Sequence, residues 1–552
     1  MFSKKRKSTN RASAWQGMLL KGSSKVKTRK SRKIMVFWVG LWLMGMVMAF
    51  RLVELQIVQG DYHLKRSEEN RLITRRIAAS RGIIRDRNGE VLTRNIPTYK
   101  RLVEGTNLAQ GQFETIGRDE ALDLSTSGGW VFFDISRDYL FGREMSSVLG
   151  YISQVSKEEL EVVGEEYISG DLIGKSGVEK SMERSLRGLP GTEYVETASS
   201  GETLRITGRV EPIVGEDVVL SIDLGLQRVL FESLEGYSGA GVAVNPKNGQ
   251  ILALVSRPTF DPNDVSGSLE EEGKPFFNRA VGGAYPPGSI YKIITLTAGL
   301  EENKITSEET IEDTGEIILN GYRFGNWLYD RTGGTEGLVN AVKALQRSND
   351  IYFYKLGELV GADKLAEWSR YFGLGKKTGI SLPGEIDGLV PDPLWKERQT
   401  GVRWYLGNTY HMAIGQGDVQ TTPLQMAMVT GVVANGGRLC KPQLTIDDEV
   451  SCAELGVSTE TLEVIKQGMI SVCQSGGTAS RWSSFSPKVA CKTGTAQFGG
   501  ENSDKTHAWF TVFAPIDDPE IVLTVLLEGA GEGSEHASPV ALKVFEEWFG
   551  GE

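Results

Sequence analysis

Three short stretches of this 552-residue chain carry side chains whose types and spacing suit acyl transfer. In Pro286-Pro287-Gly288-Ser289-Ile290-Tyr291-Lys292, proline and glycine precede an apolar run, which places Ser289 near a helix N-terminus. Lys292, three residues on, falls on the same face. A serine hydroxyl needs a base, and lysine becomes one when burial or a neighbouring cation lowers its pKa. The helix start also offers backbone N–H groups to an oxyanion. Spacing alone is weak evidence, because Ser24-Lys25-Val26-Lys27 repeats it in a stretch that reads as a charged tail.

Two further stretches strengthen the case. Lys492-Thr493-Gly494-Thr495 follows Val489-Ala490-Cys491 and reads as a strand. Alternation then puts Lys492 on one face with Gly494, whose missing side chain leaves room for a substrate, and turns Cys491 the other way. A cation with hydroxyls beside it suits a carboxylate. A second copy, Lys377-Thr378-Gly379, lacks a strand-like lead-in and reads as a loop. Between them, Ser348-Asn349-Asp350 sets a hydroxyl and a carboxylate in one turn, able to relay a proton and hold Lys292; alone, the same letters read as a helix cap.

Other chemistries find little support. No Gly-x-Ser-x-Gly elbow occurs, and the histidines at 63, 411, 507 and 536 are scattered without ligand spacing. No Cys-x-x-Cys is present, so a metal site is not expected. Cys440, Cys452, Cys473 and Cys491 form an even set that allows three pairings in an oxidising compartment.

The elements that must position these residues are legible in outline. Gly241–Val244 and Ile251–Val255 flank Pro246-Lys247-Asn248-Gly249 as a hairpin, and Ala508–Phe513 and Ile521–Leu527 form another around Pro515–Pro519. Val218–Ile222 reads as a strand, Leu224–Leu234 as a helix capped by Asp223, and Pro539–Phe549 as a closing helix. The sequence between the hairpins is mostly helical. An antiparallel sheet built from both ends of a domain, with helices inserted between, is an α+β architecture. Upstream, residues 81–92 read as two short strands around Asn88-Gly89, and residues 93–215 as an α+β spacer.

Charge is distributed unevenly. The formal net charge is −10, yet residues 1–33 hold twelve Lys or Arg and no Asp or Glu, which leaves −22 on the rest. A basic tail can bind nucleic acid, but this one runs directly into Ile34–Phe50, seventeen uncharged residues. That order indicates a membrane anchor with its positive flank in the cytoplasm. A cleaved signal peptide, with Val47-Met48-Ala49 as cleavage site, competes, although a 33-residue leader is unusually long. A mean hydropathy of −0.21 excludes a many-span membrane protein. The expected organisation is a cytoplasmic tail (1–33), an anchor (34–53), a non-catalytic pedestal (54–215) and a catalytic domain (216–552).

The ordered set Ser289-x-x-Lys292, Ser348-x-Asp350 and Lys492-Thr493-Gly494 resembles the signature of the penicilloyl serine transferases. The likeness extends to Arg81-Gly82 through Gly89, Gly174-Lys175-Ser176-Gly177-Val178-Glu179, Ser256-Arg257-Pro258 with Asp261-Pro262-Asn263, Asn278-Arg279-Ala280 and Gly415-Gln416-Gly417. All of these are similar to motifs of class B penicillin-binding proteins, and the Ser-x-Asp form is similar to the penicillin-binding protein 2 branch that serves cell-wall elongation. Asn349 holds the middle place and inherits no role from the family's asparagine. Cys491 stands where the family usually has glycine. Some members carry a zinc site partly built from His and Cys, but residues 351–410 contain neither, so the resemblance implies no metal or other cofactor.

What the resemblance implies is a membrane-anchored D,D-transpeptidase outside the bacterial plasma membrane. Ser289 would attack the D-Ala-D-Ala carbonyl with Lys292 as base. Ser348, positioned with Asp350, would pass the proton on, and Lys492, Thr493, Gly494 and Thr495 would hold the substrate carboxylate. Backbone N–H groups of Ser289 and Thr495 would bind the oxyanion. Implied partners are peptidoglycan stem peptides, β-lactams, a SEDS-family glycosyltransferase and cell-shape scaffold proteins, and no nucleic acid. The rival readings are a serine β-lactamase or β-lactam sensor, and a catalytically vestigial scaffold. For the former, Glu316-Ile317-Ile318-Leu319-Asn320 has the letters of a deacylating motif but precedes Ser348. The two Lys-Thr-Gly copies separate by mutation. Lys492→Ala should slow acylation by penicillin by orders of magnitude, and Lys377→Ala should act only through surface effects of about 0.5 kcal/mol or less; equal sensitivity would mean the wrong copy has been assigned.

Overall fold

The computed structural model describes residues 31–63, 72–103, 113–197, 203–499 and 505–550. The chain divides into two compact units. In the first, helix α1 (Ser31–Val53) continues as a short π turn, Glu54–Val58. Arg32–Val58 is the one described helix long and apolar enough to cross a membrane. Its side chains from Arg32 to Val53 are all exposed, among them Phe37, Trp38 and Trp42. An apolar helix with no protein packed on it is favourable where lipid replaces water, and 23 residues at about 1.5 Å each exceed a hydrocarbon core of about 30 Å.

The second unit holds the catalytic elements. Helix α2 (Leu224–Ser233) starts where the Asp223 carboxylate accepts the N–H of Leu226. Strands β1 (Gly239–Val244) and β2 (Ile251–Arg257) form the first hairpin. Helices α3 (Lys292–Glu301), α4 (Ala341–Arg347), α5 (Asp350–Val360), α6 (Pro423–Ala434) and α7 (Thr459–Cys473) follow. Strands β3 (Ala490–Gln497), β4 (Thr506–Ala514) and β5 (Ile521–Leu527) then lead to α8 (Ser538–Gly550). The five strands make one antiparallel sheet in the order β2-β1-β5-β4-β3. Both ends of the domain meet at its centre, where β1 pairs with β5.

Period-two alternation sorts the sheet's side chains into two cores. Phe510 and Val512 of β4 pack with Leu226, Leu230, Val544 and Phe545 of α2 and α8. Trp509 and Phe513 face the opposite core, with Ile293 and Leu296 of α3 and Val429 of α6. α3 is buried on every side from Lys292 to Gly299, and all twelve residues of α6 are buried. Helices enclosed in this way are held by packing rather than by an amphipathic stripe.

The cysteines pair as Cys440–Cys452 and Cys473–Cys491. The second bridge ties the end of α7 to β3 on the face away from Lys492, which resolves the three possible pairings. Upstream, the expected hairpin at 81–92 is reduced to one bridge, Arg85 with Val91. The Asp86 carboxylate accepts the N–H groups of Asn88 and Glu90 and winds the turn locally, while Ile84–Arg85 pairs in parallel with Val218–Val219. The expected strand 218–222 is correspondingly cut to two residues.

The glycine-flanked motif at 174–179 is structural. Glu179, 0% exposed, takes Arg81 (2.7 Å) on one carboxylate oxygen and Arg137 (2.7 Å) on the other. Asn263 makes paired hydrogen bonds to the backbone of Tyr139, and the Asn278 amide donates to Ser147 O. The Asn263 and Asn278 bonds fasten the spacer strands and helices to the catalytic elements. Glu179→Gln leaves two buried guanidinium groups half-paired, a loss of about 3 kcal/mol or more. Thermal unfolding of the full chain in detergent should show a midpoint lowered by more than about 5 °C; an unchanged midpoint would show that water reaches the arginines.

Candidate active site

Ser289 lies in a single 3₁₀ turn, Gly288–Tyr291, that leads into α3 at Lys292. The turn is held from two sides. Gly288, at φ +56°, donates its N–H to Gly415 O (2.9 Å), and a Cβ there would lie 2.7 Å from Thr495 O, so only glycine fits between the Ser289 turn and β3. The Gln416 amide donates to Thr495 O (3.3 Å), so the Gly415-Gln416-Gly417 motif braces Ser289 against the strand. Gly494 does the same from the other side. A Cβ on it would lie 2.9 Å from the Trp509 Cβ and 3.3 Å from Ile290 and Pro287 O, so the room expected for a substrate is filled by β4 and the Ser289 turn.

Ser348 links α4 to α5 in the left-handed region, at φ +52°. This conformation is costly for a residue with a Cβ and is retained where surrounding contacts enforce it. It lets one helix end and the next begin within two residues. Asn349 caps α5 by accepting the N–H of Tyr352, and its amide donates to Asp313 (2.8 Å), away from the lysines. Asp313, overlooked in the sequence, also accepts from Asn326 and from the N–H of Glu336. No sequence spacing signals it, because its partners lie 13 to 36 residues away.

These elements converge two lysines on one hydroxyl. Lys292 Nζ donates to Asp350 Oδ1 (2.7 Å), Ser348 O (2.8 Å) and Ser348 Oγ (3.2 Å). Lys492 Nζ donates to the same Ser348 Oγ (2.9 Å) and to Thr493 O (3.0 Å). Both lysines are 0% exposed. Burial pushes the Lys292 pKa down from its usual value while Asp350 opposes it; burial and the Lys292 charge push Lys492 down further, and Asp350 again resists. Two lysines on one hydroxyl titrate as a coupled pair. Ser289 is half-buried, three residues before Lys292 in the turn that leads into α3.

The Thr493 and Thr495 side chains leave β3 on the face opposite Lys492. Thr493 shares a hydrogen bond with Thr478 (2.7 Å), and Thr495 Oγ1 accepts from Gly533 N (3.5 Å). The structure therefore assembles Ser289, Lys292, Ser348, Asp350 and residues 492–495, and leaves the other candidate stretches outside. Lys377-Thr378-Gly379 is a loop tied to Glu385 and Asp387. Glu316 lies on a separate hairpin and pairs with Arg323. A cavity of about 170 Å³ lies at Ser147, Ser176, Ser256 and Asn278, lined by none of the catalytic candidates.

Residues 239–546 match the penicillin binding protein transpeptidase domain, and residues 125–220 the penicillin-binding protein dimerisation domain. The chain belongs to the penicillin-binding protein transpeptidases. It is of the class B type that includes penicillin-binding protein 2 and MrdA. It is 33% identical to the peptidoglycan D,D-transpeptidase MrdA of Acinetobacter baumannii, over 93% of this chain and 87% of that one. Among solved structures it resembles Helicobacter pylori penicillin-binding protein 2 in complex with MreC, with a TM-score of 0.77 and 28% identity, over 87% of this chain and 99% of that one. Pseudomonas aeruginosa penicillin-binding protein 2 in complex with WCK 5153 matches at a TM-score of 0.71 and 30% identity, over 86% and 96% of the two chains.

Lysine electrostatics generate a pH test. A depressed Lys292 pKa keeps the amine neutral at lower pH, so acylation should rise with pH through that pKa and flatten above it. Asp350 opposes the depression. Asp350→Asn should therefore move the acid limb of the acylation rate to lower pH, besides lowering the plateau through lost positioning. Stopped-flow acylation across pH checks this, and an acid limb that stays put or moves up would show that Asp350 does not control Lys292.

Proposed function

We propose that Ser289 and Lys292 carry the peptidoglycan D,D-transpeptidase activity of this chain during cell-wall elongation. The observation that supports the assignment best is Ser348 Oγ held between the two buried lysines, the first of them one helical turn from the nucleophile. Neutral Lys292 takes the Ser289 proton as Oγ bonds to the penultimate D-Ala carbonyl carbon. The oxyanion lies against the N–H groups of Ser289 and Thr495, donors worth roughly 10²–10³ each in rate at comparable sites. The carbonyl–nitrogen bond breaks, and the departing D-Ala amine receives the proton from Lys292 through Ser348. An acceptor amine then attacks the ester carbonyl, an amide bond forms, the ester bond breaks, and the amine's proton returns to Ser289 Oγ. Lys492 supplies the cation for the substrate carboxylate, whose lost hydration only a cation and donors replace; the Thr493 and Thr495 hydroxyls, expected beside it, leave β3 on the other face and bond Thr478 and Gly533 instead. A β-lactam follows the first half and stalls as the ester.

In this reading α1 anchors the chain in the plasma membrane, residues 1–33 remain cytoplasmic, residues 54–215 form the pedestal, and residues 216–552 work outside. The partners follow from the relatives: a scaffold like the MreC bound to the H. pylori protein, and a SEDS-family glycosyltransferase, as fits the similarity to a peptidoglycan synthase complex that couples polymerization and crosslinking. Intact-mass spectrometry after penicillin treatment should show one stable adduct on the wild type and none on Ser289→Ala. An adduct that persists in the variant, or hydrolyses within seconds on the wild type, overturns the assignment.

A further inference from the structure

An ion pair crosses the mouth of the cleft. Arg331, on the short helix Trp327–Thr332, pairs with Glu532, which immediately precedes Gly533. The two ends belong to opposite walls. Next to Arg331, the Trp327 indole donates to Arg347 O (2.8 Å) and Asn326 accepts the N–H of Asp350 (3.3 Å), so this helix is fixed to the Ser348–Asp350 wall. Next to Glu532, Gly533 sits on the backbone of β3: its N–H reaches Thr495 Oγ1, and a Cβ on it would lie 2.4 Å from Gly494 O. Glu532 is the residue before Gly533, so its backbone lies about 3.8 Å from this contact with β3.

The pair has little structural value. Its side chains are 51% and 38% exposed, and exposed pairs contribute about 0–1 kcal/mol. What sets Glu532 apart is its freedom to exchange partners. Of the carboxylates described around the cleft, Asp350 is held by buried Lys292, Glu528 by buried Arg279 and the Tyr285 hydroxyl, Glu336 by Arg347 and Lys343, and Asp330 by Arg323 on its own wall. Glu532 alone among these leans on an exposed cation from across the cleft. Among the described residues its second oxygen meets only the Ser534 hydroxyl, at 3.5 Å.

Transpeptidation brings a cation to this entrance. The acceptor is an amine, largely protonated in neutral water, and it approaches a cluster of two lysines that repels it. We propose that Glu532 is the positioning residue that docks the acceptor ammonium, and that Arg331 is its counter-ion in the empty cleft, displaced when the acceptor arrives. The exchange replaces one cation by another on Glu532 and releases the half-exposed Arg331 guanidinium to water. Glu532 orients the amine and is not its base; the ammonium sheds its extra proton to water before attacking. The inference rests on the proposed transpeptidase function and adds the residue that receives the second substrate.

The test measures partitioning of a preformed acyl-enzyme, made from a D-Ala-D-Ala peptide donor on the full chain in detergent, between water and an added amine. D-Alaninamide is the cationic probe, and hydroxylamine, mostly uncharged at neutral pH, is the neutral one. Glu532→Gln should raise the half-saturating concentration of D-alaninamide by up to about fivefold, and Glu532→Asp should restore part of it. Arg331→Gln should lower it, because the carboxylate is released. Hydroxylamine transfer should follow neither change. Equal effects on both nucleophiles, or shifts in the same direction for Glu532→Gln and Arg331→Gln, would overturn the assignment. Failure of the wild type to form the acyl-enzyme would instead count against the proposed function.

Discussion

Two ammonium groups share one buried hydroxyl, and most of the catalytic domain follows from what that requires. Lys292 and Lys492 are wholly removed from water, and among the described residues Asp350 is the carboxylate that faces them. Such an arrangement is costly unless every remaining donor is satisfied and the charge is partly relinquished. The first condition explains the donors' acceptors: Ser348 O, Ser348 Oγ, Asp350 and Thr493 O. The second makes the lysines useful, because a neutral amine is the base that a serine nucleophile needs.

Holding that cluster takes three elements that share no local sequence. α3 carries Lys292 and β3 carries Lys492, while the left-handed turn at Ser348 places a hydroxyl between them. Neither lysine could stay buried if the elements drifted apart, so each contact surface is close. Gly288, Gly415 and Gly494 allow backbone to approach backbone where a Cβ would collide. The Cys473–Cys491 bridge binds β3 to α7 from behind without touching the site. Further out, the Arg81–Glu179–Arg137 network holds the spacer segments to one another, and the Asn263 and Asn278 bonds hold them against the catalytic elements, so motifs that carry no chemistry still bear on it.

Much of this was legible beforehand, for particular reasons. Both hairpins, the Asp223 cap and the closing helix were marked by turn residues and periodicity, which act over a few residues and need no distant partner. The opposed directions of Lys492 and Cys491 followed from strand alternation alone. The misreadings have equally local causes. At residues 81–92 the Asp86 side chain competed with the strand ladder, a contest that periodicity does not register. At Gly494 the sequence indicated that space was needed, but not which group would fill it.

Taken alone, the sequence determined the chemical types: a serine one helical turn from a lysine, a hydroxyl beside a carboxylate, a lysine on a strand, and an apolar helix behind a basic tail. Short-range rules of turn, cap and alternation suffice for these. Tertiary structure alone decided the rest. It set Ser348 Oγ between Lys292 and Lys492, turned Asn349 toward Asp313, and brought Arg331 to Glu532 across 201 positions of chain. Each of these depends on which surfaces pack and which groups lose water, and burial is a property of the folded whole that no spacing of letters contains.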